Sequence, residues 1–357
     1  MQKVKAMVLE SPRKMIMKEF PMPEIDAEGM LIKIDMVGIC GGDPIEYEGR
    51  NKKVNYPLIL GHELIGTVSK IGAEAQKIYK VDVGNRVTVE PYMICGKCHY
   101  CLNSLYQFCE NSKVYGVNVK SEEPPHLWGA YAEYMYVAPG SKVHKIAADV
   151  PDRAACMASV LGNGVRWVRT LGKVKFGEAV VIIGPGAQGL ATIIAAKEAG
   201  AYPIIILGRT RNPNKWELAK EFGADNVVDI TKVDPVEEVK KFTQGKFADV
   251  IIETTGAAEM IELGLHLARP AARYIMVGTC GFEKRPLTTD LIVFKELQII
   301  GGLGQSWDTE PAVQIINTRK YAVEKMVSHV FPLEKADEAM NFFMNNSGQA
   351  IRVAIKP

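Results

Sequence analysis

At 357 residues the chain exceeds what one hydrophobic core serves well, so two domains of ordinary size are expected. Apolar residues make up 47% and charged residues 24%, the balance of a folded globular protein and not of a disordered or fibrous one. The 43 basic and 41 acidic residues are interspersed and leave a formal charge of +2, which excludes a polyanion footprint and, with it, nucleic acid as an expected partner.

No apolar run approaches the roughly 18 residues of a membrane span. The start, Met1-Gln2-Lys3-Val4-Lys5, leads into a mixed segment and not a secretory apolar region, so no membrane association and a cytoplasmic location are expected. From Lys3 to about Val143, short β-branched runs such as Met30-Leu31-Ile32-Lys33-Ile34 and Gly66-Thr67-Val68 are cut by Gly and Pro, which predicts a compact β-rich domain. Seven cysteines, an odd number, point to metal and not to disulfides, because four of them crowd together while Cys40, Cys156 and Cys280 stand alone. Cys95, Cys98, Cys101 and Cys109 have C-x2-C-x2-C-x7-C spacing, compact enough for four thiolates to surround one tetrahedral zinc. Four thiolates fill every coordination position, so this zinc is predicted to be structural, with His99 a bystander. A nucleic-acid-binding ribbon would show two knuckles farther apart on a basic surface.

Around Val150-Pro151-Asp152 the pattern changes to helical stretches alternating with apolar strands, beginning with a helix from Ala154 to Leu171. Strands are predicted at Ala179–Ile183, Ile204–Leu207, Asn226–Val228, Val250–Ile252, Tyr274–Val277 and Leu297–Ile300, spaced as in a parallel, doubly wound sheet. After the first comes Gly184-Pro185-Gly186-Ala187-Gln188-Gly189 and an Ala-rich helical run, a dinucleotide fingerprint in its proper context. The first glycine permits the tight turn, the second lets backbone approach the pyrophosphate, and the third lets helix and strand pack closely. About twenty residues on, an NAD site would carry an acidic residue for the ribose hydroxyls. This chain has Gly208-Arg209-Thr210-Arg211, room and positive charge for a 2′-phosphate, so NADP is expected over NAD. A helix at Leu333–Asn345 and a strand at Ile351–Ile355 follow, the strand able to rejoin the first domain. The expected division is a β-rich domain of residues 1–156 plus 303–357 and a dinucleotide domain of residues 157–302.

Taken with Gly38-Ile39-Cys40-Gly41-Gly42-Asp43, Gly61-His62-Glu63, Gly84-Asn85-Arg86-Val87 and Gly129-Ala130-Tyr131-Ala132-Glu133-Tyr134, the cysteine cluster and fingerprint resemble the zinc-dependent medium-chain alcohol dehydrogenases over nearly the whole chain. The nearest style is the sorbitol and threonine dehydrogenase branch, to whose pattern Leu161-Gly162-Asn163-Gly164-Val165 is also similar. The resemblance implies an α/β fold, a GroES-like catalytic domain interrupted by a Rossmann domain. It implies a second, catalytic zinc on Cys40 and His62, with Glu63 a neighbouring carboxylate or exchangeable ligand and Asp43 supporting them. Hydride would pass between an alcohol carbon, of secondary or polyol type, and the nicotinamide, giving a ketone or aldehyde. A homodimer or homotetramer is implied, with Ile299-Ile300-Gly301-Gly302 a candidate contact.

The chain departs from the family pattern at three places. Ser159 stands where relatives supply a further Cys, Asp or Glu ligand, with Cys156 three residues out of register. Gly42 and Ile45 stand where a hydroxyl residue and a histidine usually relay the proton, which leaves water, Glu46, Glu63 or a substrate group to take it. Loss of the relay groups motivates a second reading, NADPH-dependent 1,4-reduction of an activated alkene without catalytic zinc; because fold does not fix function, a third is a cofactor-binding or regulatory protein that has kept the fold and lost the chemistry. Tyr47 and Trp128, beside family motifs, are either pocket-lining residues or core aromatics.

Overall fold

The computed structural model describes every residue except 1, 52, 53, 55, 210, 211 and 347. The chain divides into two compact units, Met1–Ser159 with Ala312–Pro357 and Val160–Pro311. No helix among the described residues is long and apolar enough to cross a membrane.

The first unit is built on a seven-stranded sheet. Its order runs Val143–Ile146, Arg86–Val89, Glu63–Ile71, Met30–Gly38, Arg352–Lys356, Val327–Pro332, with Tyr134–Val137 also pairing with Met30–Gly38. The strands expected around Met30 and Gly66 are both here, longer than their apolar runs, and the last strand of the chain does return to this sheet. Met30–Gly38 is the central strand because its side chains are buried on both faces, all but Lys33 and Asp35 being buried. Its register places Gly38 opposite Glu63 on one side and opposite Ala354 on the other. A side chain at position 38 would meet both neighbours, since a Cβ there would lie 3.3 Å from Arg352 Nε and 3.3 Å from Glu63 Oε2. Glycine thus leaves a slot in the middle of the sheet for two charged side chains from strands far apart in sequence.

The second unit is a six-stranded parallel sheet in the order Asn226–Asp229, Ile204–Gly208, Val180–Ile183, Ala248–Glu253, Ala268–Met276, Gln298–Gly301. Numbered along the chain that order is 3-2-1-4-5-6, the doubly wound arrangement whose switch point lies beside the first strand. Val180–Ile183 and Ile204–Leu207 are wholly buried, as parallel strands covered by helices on both faces must be. The helix expected over Ala154–Leu171 is broken. Asp152–Ala155 forms one turn, Ala158–Val165 a second helix, and Arg166–Leu171 a π-helical turn. Arg166 and Thr170, one turn apart, both reach the Asp308 carboxylate, at 3.3 Å and 2.5 Å.

Candidate active site and zinc centres

Cys40, His62 and Glu63 come together in the first unit, with one ligand atom of each within 4.8 Å of the others. Cys40 follows the end of Met30–Gly38, and His62 precedes Glu63, which opens the paired strand; the Gly38–Glu63 register therefore delivers all three to one end of the sheet. Asp43, 2% exposed, lies behind them. Its Oδ2 accepts the Cys40 backbone N–H at 2.9 Å and the Tyr131 hydroxyl at 3.0 Å, while its Oδ1 is 3.8 Å from His62 Nδ1. Burial raises the Asp43 carboxyl above its usual range, with His62, the Cys40 N–H and Tyr131 pulling the other way. Burial likewise pushes the Cys40 thiol up to about 11, and the negative charge of Asp43 adds to the rise.

A thiol and an imidazole, both half-buried, converge with a buried carboxylate, a donor set that suits zinc. His62 Nδ1 is buried without a hydrogen-bond partner yet faces Asp43, as the outer nitrogen of a metal-bound imidazole does. A divalent cation would also reverse what burial does to Cys40, because thiolate binding and proton loss are coupled.

Glu63 has a second partner that inspection of the sequence missed. Arg352, from the last strand, is paired with the Glu63 carboxylate, and both side chains are almost wholly buried. Nothing local marks Arg352, since its role exists only through the sheet register. Cys156 stays outside the group; its thiol donates to the Arg153 carbonyl at 3.4 Å and is pushed up to about 12 by burial. Ser159 is buried at the end of this unit. Tyr47 and Trp128 are core aromatics. The Tyr47 hydroxyl donates to Asp337 at 2.9 Å, and Trp128 donates to the Glu123 carbonyl at 2.7 Å and packs edge-on against Tyr136.

Cys95, Cys98, Cys101 and Cys109 form the second group, again with ligand atoms within 4.8 Å of one another. Cys95 and Cys101 sulfurs are 4.0 Å apart. Tetrahedral zinc with Zn–S bonds of about 2.3 Å requires about 3.8 Å between sulfurs, so the four are already spaced for it. The backbone N–H groups of Lys97 and Cys98 point at the Cys95 sulfur and bring its thiol down to about 6, while those of Cys101 and Glu110 lower Cys98. Such amides favour thiolate over thiol at Cys95 and Cys98 before any ion arrives, whereas burial pushes the Cys101 thiol up to about 12. His99 is not in the group; its ring lies against Asn103 and Tyr100.

In the second unit the fingerprint forms the turn its glycines predict. Gly184 has φ +109°, a left-handed conformation, and a Cβ on Gly189 would lie 1.9 Å from the Gly184 carbonyl oxygen. Gly186 has nothing within 4 Å of where its Cβ would be, and the helix Ala187–Glu198 starts there without a side-chain cap. Its first amides are therefore presented to an anion. Gln188 is held by Asn163, which donates to it at 3.5 Å and accepts the Gln305 N–H at 3.0 Å, so the Leu161–Val165 motif braces the fingerprint. Thr254 adds a hydroxyl donated to the Ile183 carbonyl at 2.8 Å. Arg209 is exposed and 3.6 Å from Glu259, a surface pair of little energetic consequence. Thr210 and Arg211 lie outside the described residues. Lys215, which sequence inspection passed over, lies in the helix Pro213–Glu221 just beyond, 8% exposed and with its ammonium pKa lowered by burial.

Residues 26–148 match the alcohol dehydrogenase GroES-like domain family, and residues 187–318 match the zinc-binding dehydrogenase family. A sorbitol dehydrogenase of Halalkalibacterium halodurans is 32% identical, with 95% of each chain covered. Among solved structures, an alcohol dehydrogenase from Thermotoga maritima is 27% identical with a TM-score of 0.90, both chains being covered completely. A structure from Sinorhizobium meliloti, described as a zinc-binding dehydrogenase and bound to NADP, is 26% identical with a TM-score of 0.87, again over the whole of both chains. The chain belongs to the zinc-dependent medium-chain alcohol dehydrogenase family, and it is an NAD(P)-dependent oxidoreductase with a GroES-like catalytic domain and a Rossmann-like cofactor domain.

Proposed function

We propose that the protein interconverts a secondary alcohol or polyol and its ketone or aldehyde, using NADP in preference to NAD. The observation that carries this reading is the convergence of Cys40, His62 and Glu63 in front of Asp43. Cys40 and His62 would hold the catalytic zinc, with Glu63 a neighbouring or exchangeable ligand. Zinc bound there would supply a Lewis acid to polarise the substrate's C–O bond. Asp43 fixes the loop of Cys40 through its N–H and orients the His62 ring from behind. Arg352 offsets part of the Glu63 charge and holds that carboxylate near the metal site. Cys95, Cys98, Cys101 and Cys109 would hold a structural zinc. Retention of the Cys40–His62–Glu63 set speaks against a zinc-free alkene reduction.

On the cofactor side, Gly184, Gly186 and Gly189, with the first-turn amides of Ala187 and Gln188, would receive the pyrophosphate. Arg209, Thr210 and Arg211 would receive the 2′-phosphate, with Lys215 adding positive charge nearby; the NADP held by the Sinorhizobium relative accords with this preference. In this reading catalysis belongs to residues 1–156 plus 303–357 and cofactor binding to residues 157–302. A homodimer or homotetramer accords with the edge strand Gln298–Gly301, which among the described residues pairs on one side only, and with exposed Val293, Phe294 and Leu303 near it in sequence.

Elemental analysis of protein purified without chelator, followed by alcohol oxidation with and without chelator, tests this reading. About two zincs per chain and a chelator-sensitive oxidation of secondary alcohols with NADP are expected. One zinc per chain, or oxidation that survives removal of the metal at Cys40, would refute it.

A further inference from the structure

Oxidising an alcohol means disposing of the hydroxyl proton, and neither Gly42 nor Ile45 can take one. Of the carboxylates near the centre, Glu63 is engaged with Arg352, and Asp43 with the Cys40 N–H and Tyr131. Glu46 is placed differently. It lies three residues after Asp43 in the helix Asp43–Tyr47, and residues at i and i+3 share a helix face. Asp43 is turned toward Cys40 and His62, and Glu46 lies on the same face of the helix, close enough for its charge to be felt at Cys40.

The burial in this helix runs opposite to what side-chain chemistry favours. Glu46 is 8% exposed, whereas the apolar Ile45 beside it is only half-buried. Burying a carboxylate without a counter-charge is unfavourable, and among the described residues no cation pairs with Glu46. Its side-chain partner is the Asn51 amide, which donates to Oε1 at 3.1 Å, while the Tyr56 hydroxyl donates to its backbone carbonyl at 2.6 Å. Burial holds the Glu46 carboxyl above its usual range and Asp43 adds to the rise, while Asn51 and His62 oppose it; Cys40 and Tyr56 feel its negative charge in turn. An exposed glutamate would serve solubility. One retained under cover, steadied by a neutral amide and on the helix face that carries Asp43, has the features of a proton acceptor.

We propose that Glu46 accepts the hydroxyl proton during alcohol oxidation, through an intervening water, and returns it to the carbonyl oxygen in the reverse direction. The inference rests on the alcohol–carbonyl reading above. The C–H bond breaks and its electron pair leaves with hydrogen to the nicotinamide of the oxidised cofactor. The O–H bond breaks and its proton passes to the Glu46 carboxylate, and the oxygen's electrons form the C=O double bond. Glu46 then releases the proton to solvent, so that one alcohol and one oxidised cofactor give one carbonyl, one reduced cofactor and one proton.

The test compares wild type with Glu46→Gln, which keeps size and the contact with Asn51, and with Glu46→Asp, which keeps the carboxylate. Secondary alcohols and sorbitol serve as substrates; zinc per chain is read by elemental analysis and NADPH affinity by fluorescence titration. Glu46→Gln should lower kcat for oxidation by about 100-fold or more, leave KM little changed, and abolish the rise of kcat with pH that deprotonation of a base produces. Zinc content and NADPH affinity should match wild type, and Glu46→Asp should restore the pH dependence with part of the rate. A Glu46→Gln variant with a wild-type rate and pH profile would overturn the proposal. So would loss of zinc or of NADPH affinity in step with the rate, which would mark Glu46 as a support of the fold. A wild type that binds two zincs and NADPH yet turns over no alcohol or ketone would overturn the alcohol reading itself, and this proposal with it.

Discussion

Replacing Arg352 with Met removes one member of a buried ion pair and leaves the other in place. Arg352 and Glu63 are 4% and 1% exposed, and they meet beside Gly38, where any side chain would crowd both of them. Water cannot readily reach the orphaned Glu63 carboxylate, whose side chain is almost wholly buried. Breaking such a pair costs about 3–5 kcal/mol, whereas replacing both members with uncharged groups of similar shape costs far less or nothing. For a unit of this size each kcal/mol moves the melting temperature by about 2–4 °C, so Arg352→Met should melt roughly 6–20 °C lower in metal-stripped protein. Calorimetry of metal-stripped wild type, Arg352→Met and the double variant Glu63→Gln/Arg352→Met measures it, following the transition of the first unit. The double variant should regain most of the loss. Equal losses in the single and double variants, or a single-variant loss below about 1 kcal/mol, would show that Arg352 acts by packing alone and refute the electrostatic reasoning.

Asp35 provides a pH test on the same central strand. Burial raises its carboxyl pKa, with the Thr67 hydroxyl, 2.8 Å away, opposing the rise. A pKa raised in the folded state means that Asp35 favours folding in acid and that this contribution is lost as pH rises through the folded value. Asp35→Asn should therefore exceed wild type in urea stability at about pH 8, and the advantage should fade as pH drops to the ordinary Asp range and below; an advantage independent of pH would contradict this. Arg209→Gly should raise KM for NADPH about tenfold while leaving NADH nearly unchanged, because a lost charge–phosphate contact affects only the phosphorylated cofactor. Equal changes for both cofactors, read in steady-state kinetics, would remove Arg209 from phosphate recognition. Cys101→Ser should lower zinc by about one ion per chain and expose residues 95–109 to proteolysis, leaving the metal at Cys40 in place. Full zinc content in that variant would show that the four cysteines do not share an ion.

Much of the molecule is legible in the sequence because its signals are local. The four cysteines lie within fifteen residues, so their spacing alone decides that they can meet. The fingerprint works through one turn, where a Cβ at Gly189 would strike the Gly184 carbonyl, so its glycines have meaning without the rest of the fold. The strands of the second unit stand out as apolar runs because both faces of a parallel sheet are buried. Element continuity was harder to read. The segment from Ala154 to Leu171 has helical composition throughout, yet it is broken after Ala155 and widens into a π turn at Arg166, where Arg166 and Thr170 engage Asp308 about 140 residues away.

What tertiary structure alone decides is which distant groups share a place. Tyr47 and Trp128 sit beside family motifs, but a hydroxyl bonded to Asp337 and an indole bonded to the Glu123 carbonyl put them in the core. Cys156 looks from the sequence like a displaced ligand, and burial beside the Arg153 carbonyl keeps it out of the Cys40 group. Arg352 has no signal of its own. Its partnership with Glu63 follows from the register of strands that begin almost 290 residues apart, on either side of a glycine. Residue types and short spacings specify which chemistry the chain can perform, because coordination and turn geometry act over a few bonds. The balance of charge around that chemistry comes from strand register and burial, which depend on contacts between residues that are remote along the chain.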